Sequence, residues 1–132
     1  MTDLDPRNLP EEVLGFLRER HLATLTIVKA DHRPHVTPVG VTYEQDAGLA
    51  RVITWADSWK AKHVARLGEA AVAVCSVDGA RWVTLSGIGT VTNEPEAVAE
   101  AVTRYAERYR QPKERDDRVV IEIVVDRVFG QV

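Results

Sequence analysis

The sequence predicts a mainly β chain, folded as one small antiparallel barrel, closed or half-closed, of about six strands with two to three helices. Three observations predict it. Short runs of apolar and polar residues at strand spacing recur along the chain. Turn signals separate them, among them Asp31-His32-Arg33-Pro34, Ala47-Gly48 and Asp78-Gly79. Gly87 and Gly89 interrupt the longest run, as expected where a strand bends or another backbone comes close.

Asn8-Leu9-Pro10-Glu11 opens a first helix, with Asn8 as cap and Glu11 three residues on. It runs to about Arg20 and buries Val13, Leu14 and Leu17. Ala23 to Ile27 alternates as a half-buried strand should. His35 to Tyr43 forms the second strand, with Val39, Val41 and Tyr43 on one face. Pro38 lies within it, and proline is tolerated only at an edge or bulge, so one side of this strand is unpaired. That side either admits a flat ligand to the backbone or, with Gly40, simply guards the edge against aggregation. Leu49 to Trp55 is the third strand, followed by a short helix that ends at Leu67-Gly68. Ala70 to Val77 and Arg81 to Thr92 make a hairpin across Asp78-Gly79. Asn93-Glu94-Pro95-Glu96 opens the last helix, with Asn93 as cap, Pro95 in the first turn and Glu96 at the capping-box position. Val98, Ala101, Val102, Tyr105 and Tyr109 form its apolar stripe. Gln111 to Asp117 is a polar loop, and Arg118 to Phe129 is the last strand.

The 132 residues suffice for one domain spanning 1–132, with 1–8 expected as a flexible N-terminal segment. A net charge of −3 gives no broad footprint for nucleic acid, because the arginines from Arg104 to Arg118 are interleaved with acids. The single cysteine, Cys75, reads as a small buried hydrophobe, and no intrachain disulfide can form, which fits a reducing cytoplasm. The acidic start Met-Thr-Asp-Leu-Asp-Pro reads as no signal peptide, and no run approaches membrane-spanning length. His21, His32, His35 and His63 lack metal-ligand spacing, so no metal is expected.

The most informative stretch is Asp57-Ser58-Trp59-Lys60-Ala61-Lys62-His63, where a strand ends and a helix begins. Asp57 or Ser58 can cap that helix. Lysines are unfavourable in a first turn, because the helix dipole already places partial positive charge there. Lys60, Lys62, free N–H groups and a serine hydroxyl together suit an anion, most naturally a phosphate. Paired lysines on a helix are more often solvated surface charges; the strand-to-helix position favours the anion site.

Arg33-Pro34-His35-Val36-Thr37-Pro38-Val39, then Ser58-Trp59-Lys60-Ala61-Lys62, then Trp82 to Thr92 and Arg118-Val119-Val120-Ile121, follow one another in an order that resembles the flavin/deazaflavin oxidoreductase superfamily, the split β-barrel relatives of pyridoxamine phosphate oxidase. The resemblance covers about residues 9 to 130. Within it, Arg20-His21-Leu22-Ala23, Ala50-Arg51-Val52-Ile53-Thr54, Val77-Asp78-Gly79-Ala80-Arg81-Trp82, Arg104-Tyr105-Ala106 and Arg108-Tyr109-Arg110 resemble the actinobacterial F420-dependent branch, in particular the F420H2-dependent biliverdin reductase group.

The resemblance implies a homodimer with cofactor clefts between subunits. It implies that Ser58 and Lys60 hold the cofactor phosphate, with Ala61, Lys62 and His63 beside them. The second strand (Val36, Thr37, Pro38, Val39, Gly40, Val41) would face the tricyclic ring through its backbone, and Ile53 and Thr54 would flank the phosphate. Pyridoxamine phosphate oxidases carry Ser-Arg-Lys at this motif, with further basic residues on the preceding strand. Here Trp59 replaces the arginine, and Thr37 and Thr42 stand on the strand. That departure counts against FMN and is compatible with coenzyme F420.

A reduced deazaflavin supplies a hydride, and the protein supplies orientation and electrostatics. A tetrapyrrole acceptor such as biliverdin carries propionates, which arginines would hold, and its pyrrole nitrogen must gain a proton from a polar group or water; Arg51, Arg81, Arg110 and Arg118 are the candidates for this substrate and proton-donor side, beside the alternative that they are surface charges. Trp55, Trp59 and Trp82 can wall a planar site, Trp82 equally by core packing. Three functions compete: an F420H2-dependent reductase, an FMN-dependent oxidase or reductase on the same fold, and a non-catalytic flavin- or F420-binding protein. A barrel with no cofactor is the remaining structural reading.

Overall fold

The computed structural model describes residues 3–132. Seven antiparallel strands form one sheet, in the order β2-β1-β5-β6-β7-β4-β3. The strands are β1 (Ala23–Val28), β2 (Pro34–Val39), β3 (Thr42–Glu44), β4 (Leu49–Trp55), β5 (Ala70–Asp78), β6 (Arg81–Thr92) and β7 (Arg118–Gln131). The helices are α1 (Glu11–Arg18), α2 (Trp59–Leu67) and α3 (Pro95–Arg108). The sheet curls but does not close, because β2 and β3 are its two free edges.

The expected second strand is thus two. Residues 34–39 pair with β1 and residues 42–44 pair with β4, at opposite edges of the sheet. Gly40 and Val41 carry the chain between them. The alternating pattern runs unbroken through this corner, which hides it in the sequence. Pro38 does lie on an edge strand, as its lack of an N–H requires.

The alternation sends Leu25, Ile27, Val52, Val74, Leu85 and Ile121 into the core, each at most 1% exposed. β6 and β7 shift register between Ser86 and Gly87. A Cβ at Gly87 would stand 1.9 Å from Val124 O, so only glycine fits this bulge. Cys75 alternates outward and is half-buried, while Val74 takes the core position expected of it.

Two expected caps differ. Pro10, not Asn8, precedes α1, which ends at Arg18 and buries Phe16 with Val13 and Leu17 while Leu14 is only partly covered. Glu94, not Asn93, precedes α3, with no side-chain cap; its N–H is taken by Thr92 Oγ1 at 3.1 Å. Ser58 does cap α2. The segment expected to be flexible lies partly outside the described residues; within them, Leu4 N–H donates to Val128 O at 2.7 Å and Arg7 donates to the carbonyls of Asp46 and Ala47. Among the described residues, no helix is long and apolar enough to cross a membrane.

Candidate active-site cleft

β4 ends on Thr54 and Trp55, and α2 begins four residues later. The turn between them is fixed from inside. Thr54 Oγ1 donates to Ser58 Oγ at 2.9 Å, and Ser58 Oγ also accepts the Ala61 N–H at 3.2 Å. Thr54, Ser58 and Ala61 are all buried. This cap sets the first turn of α2 and therefore the direction of Lys60.

Lys60 points into a cleft of about 330 Å³. One wall is Pro38, Val39 and Gly40 at the end of edge strand β2, with Ile53, Thr54 and Trp55 of β4 beside it. The other wall comes from α3 and the loop after it: Tyr105, Pro112, Lys113, Arg115 and the first residue of β7, Arg118. Sequence reasoning placed Tyr105 in a packing stripe and residues 111–117 in a polar loop, because composition does not say where a loop folds back. Two cations approach the Trp55 ring, with Lys60 Nζ 5.4 Å and Arg115 Cζ 5.1 Å from its centroid.

The cleft is electropositive. Arg115 is paired with Asp117 at 2.8 Å, but no ion pair among the described residues involves Lys60, Lys113 or Arg118. Arg118 instead donates to Lys113 O, which closes the loop onto β7. Burial holds the Lys60 ammonium below its ordinary pKa, the mark of a cation without a local counter-ion. An anion arriving there would meet a pre-positioned positive wall.

The remaining sequence-predicted residues lie elsewhere. Lys62 is exposed, its Nζ 5.5 Å from the Trp59 ring centroid. His63 packs against His35 with ring centroids 4.8 Å apart, and burial first, then His35, Lys29 and Arg66, hold its pKa below the usual histidine value. Val36 is exposed on β2, Thr37 faces inward with an unpartnered hydroxyl, and Val41 is buried at the corner. Arg51 is buried and donates to Glu44 at 2.9 Å; Glu44 also meets Arg104 at 3.1 Å. Arg81 is tied to Glu19 and Asp78, and Trp82 packs edge-on against Phe129, both at the β5–β6 hairpin. Arg110 is exposed. Of the four arginine candidates, Arg118 alone lines the cleft.

A larger hollow of about 400 Å³ lies between α1, β3 and α3. It offers an anion little: Arg18 is paired with Glu11, Arg104 with Glu44 and Glu100, and Arg108 donates to neutral oxygens. Glu19, His21 and Asp78 group their oxygen and nitrogen atoms within 4.8 Å, but Arg81 is bonded to both carboxylates there.

The pyridoxamine 5'-phosphate oxidase family profile matches residues 9–131. The chain belongs to this family. A relative, the F420H(2)-dependent biliverdin reductase of Mycobacterium tuberculosis (strain CDC 1551 / Oshkosh), is 47% identical over 122 residues, which are 92% of this chain and 88% of that one. Among solved structures, an F420 reductase superposes with TM-score 0.72 at 19% identity, covering 92% of this chain and 98% of the other. The heme storage protein HutZ of Vibrio cholerae superposes with TM-score 0.71 at 15% identity, covering 94% and 95%. At such identities these two establish the split-barrel fold that the oxidase family shares.

Proposed function

We propose that this chain is an F420H2-dependent reductase that transfers a hydride to a conjugated acceptor, biliverdin being the acceptor that its 47%-identical relative is named for. The observation that carries the reading is the cleft, where an open strand edge meets unpaired cations. β2 presents its free edge at Pro38–Gly40, and Lys60, Lys113 and Arg118 converge beside it without acidic partners. Those donors fit a cofactor with a flat ring, a phosphate and an acidic tail.

Lys60 holds the phosphate, and the Ser58 cap keeps α2 aimed at it with Thr54 behind. Backbone from Pro38 to Gly40 faces the ring. Trp55 and Tyr105 offer flat apolar surfaces, and Ile53 lines the same cleft. Lys113, Arg115 and Arg118 orient the carboxylates of acceptor or tail. When bound, the reduced deazaflavin supplies the hydride. The polypeptide binds, aligns and neutralises charge, and needs no nucleophile of its own.

The working form is a homodimer with the cofactor at the subunit interface. The outer sheet face supports this. In register across β1, β5 and β6 stand Thr24-Cys75-Thr84 and Thr26-Ala73-Ser86, with no charge among them. Val36, Ile88 and Val124 extend that face, 55%, 39% and 63% exposed. A second copy would cover this patch of small, uncharged side chains with its exposed valines and isoleucine, and Pro38, opposite Thr24, places the cleft at its border. A lone cysteine and no disulfide suit the cytoplasm.

The test is turnover. Purified protein with F420H2 should consume the reduced cofactor only when biliverdin is present, with bilirubin as product. Binding of F420 without turnover of biliverdin would restrict the reading to another acceptor or to a carrier.

A further inference from the structure

The chain leaves β2 at Val39 and enters β3 at Thr42, so Gly40 and Val41 belong to neither ladder. Val41 is 1% exposed, and its backbone groups cannot turn to water. The end of α3 supplies both partners. Tyr109 Oη accepts the Val41 N–H at 3.1 Å and donates to His21 O at 2.7 Å. Arg108 Nη1 donates to Val41 O at 2.6 Å, Nε to Glu19 O at 2.8 Å and Nη2 to Ser76 Oγ at 3.3 Å. Two adjacent side chains therefore tie the corner to the α1–β1 connection and to β5.

This is a costly way to fill space. Arg108 is 8% exposed and bonds only to neutral acceptors, so its charge is buried without a carboxylate. The return is geometric, since a guanidinium fork and a phenol fix directions that an apolar side chain cannot. One turn earlier, the Tyr105 ring lies 4.9 Å from that of Tyr109 and lines the cleft. A Cβ at Gly40 would stand 2.7 Å from Tyr105 Cε2 and 3.0 Å from Tyr109 Cε2. Gly40 lets both rings lie on the bare backbone.

We propose that Arg108 and Tyr109 are positioning residues for the cleft: by holding Val41 they fix the Pro38–Gly40 backbone and the Tyr105 ring where the cofactor's tricyclic ring is received. The inference rests on the F420 reading above. Neither residue lines the cleft, so they act through the corner. Their effect falls on the ring end of the cofactor and not on its phosphate end.

Tyr109→Phe removes a single hydroxyl, and Gly40→Ala drives the same rings off the backbone by an independent route should the first variant fold poorly. Each is titrated, beside wild type and Lys60→Ala, with F420 and with the phosphate-free deazaflavin (ring and ribityl chain only). Hydrogen exchange is followed over residues 36–43. The expected result is faster exchange at the corner and equal weakening of both ligands, roughly fivefold to tenfold, the worth of about one hydrogen bond. Lys60→Ala weakens F420 alone. Folded variants that bind both ligands like wild type, or that lose F420 but not the phosphate-free compound, overturn the proposal. Wild type that binds neither ligand overturns the F420 reading itself, and this is seen before any variant is compared.

Discussion

Thr54 Oγ1 donates to Ser58 Oγ at 2.9 Å, so the last inward residue of β4 is bonded to the cap of α2. Both side chains are nearly inaccessible, at 3% and 4% exposure. The strand therefore dictates where the helix starts, and the helix start dictates where Lys60 points. Ser58→Ala removes the acceptor for the Ala61 N–H and the Thr54 hydroxyl together. It should lower unfolding free energy by about 1–2 kcal/mol, as loss of a buried cap does. Urea titration checks this. A loss below about 0.3 kcal/mol would mean that the cap bond does little for the fold.

Lys60 has no counter-ion and is partly desolvated, so its removal should leave the fold intact. Lys60→Ala should weaken F420 roughly tenfold to a hundredfold, as expected for a charge-assisted bond of about 1.5–3 kcal/mol. Its depressed pKa has a definite sign. In the alkaline window below the ordinary lysine value, the unfolded chain binds more protons than the folded one, so Lys60 costs stability below that window and the cost is relieved as pH rises through it. A bound phosphate restores the proton. Calorimetry in buffers of different ionisation enthalpy, run at pH values up to the ordinary lysine pKa, should show proton uptake on F420 binding within that window, absent in Lys60→Ala.

Glu44 is the one acid between Arg51 and Arg104. Arg51 is 9% exposed, and its Nε and Nη1 have no partner. Glu44→Ala leaves that guanidinium buried without its counter-ion and should cost about 3 kcal/mol. F420 affinity should stay within twofold, because none of the three residues lines the cleft. A selective loss of affinity in a folded Glu44→Ala protein would return Arg51 to the binding site.

His63 should contribute an acid-sensitive part of the stability. Burial and the neighbouring His35 depress its pKa, so the unfolded chain takes up the proton first. The stability of the neutral form is present above the unfolded histidine value of about 6.5 and is lost as pH falls from there through the folded value. His63→Gln should flatten the midpoint-against-pH curve below pH ~6.5 in thermal melts. An unchanged slope would assign the acid sensitivity to other groups.

Sequence pattern carried the periodic and local features. A cap at Asp57 or Ser58, the edge placement of Pro38, the close backbone approach at Gly87 and the turn at Gly79 each follow from the requirements of one or two residues, and the structure chooses Ser58. What escaped was long-range. The alternation from His35 to Tyr43 is consistent with one strand, and only the pairing of its halves to β1 and β4 reveals the corner. Arg108 reads as the polar side of α3, yet the corner draws it inside. Arg51 and Arg81 read as free arginines in the sequence, but Arg51 meets Glu44 across the β3–β4 hairpin, and Arg81 meets Asp78 in its own hairpin and Glu19 from 62 residues away. Lys113 and Arg115 sit in a loop whose course no local rule sets.

The most direct test of the cleft as an F420 site is a paired titration of the purified protein with F420 and with FMN, followed by quenching of tryptophan fluorescence, to which Trp55 in the cleft wall should respond. F420 should bind saturably, more tightly than FMN, and its binding should weaken with added salt. Preference for FMN, or binding of neither, would contradict this.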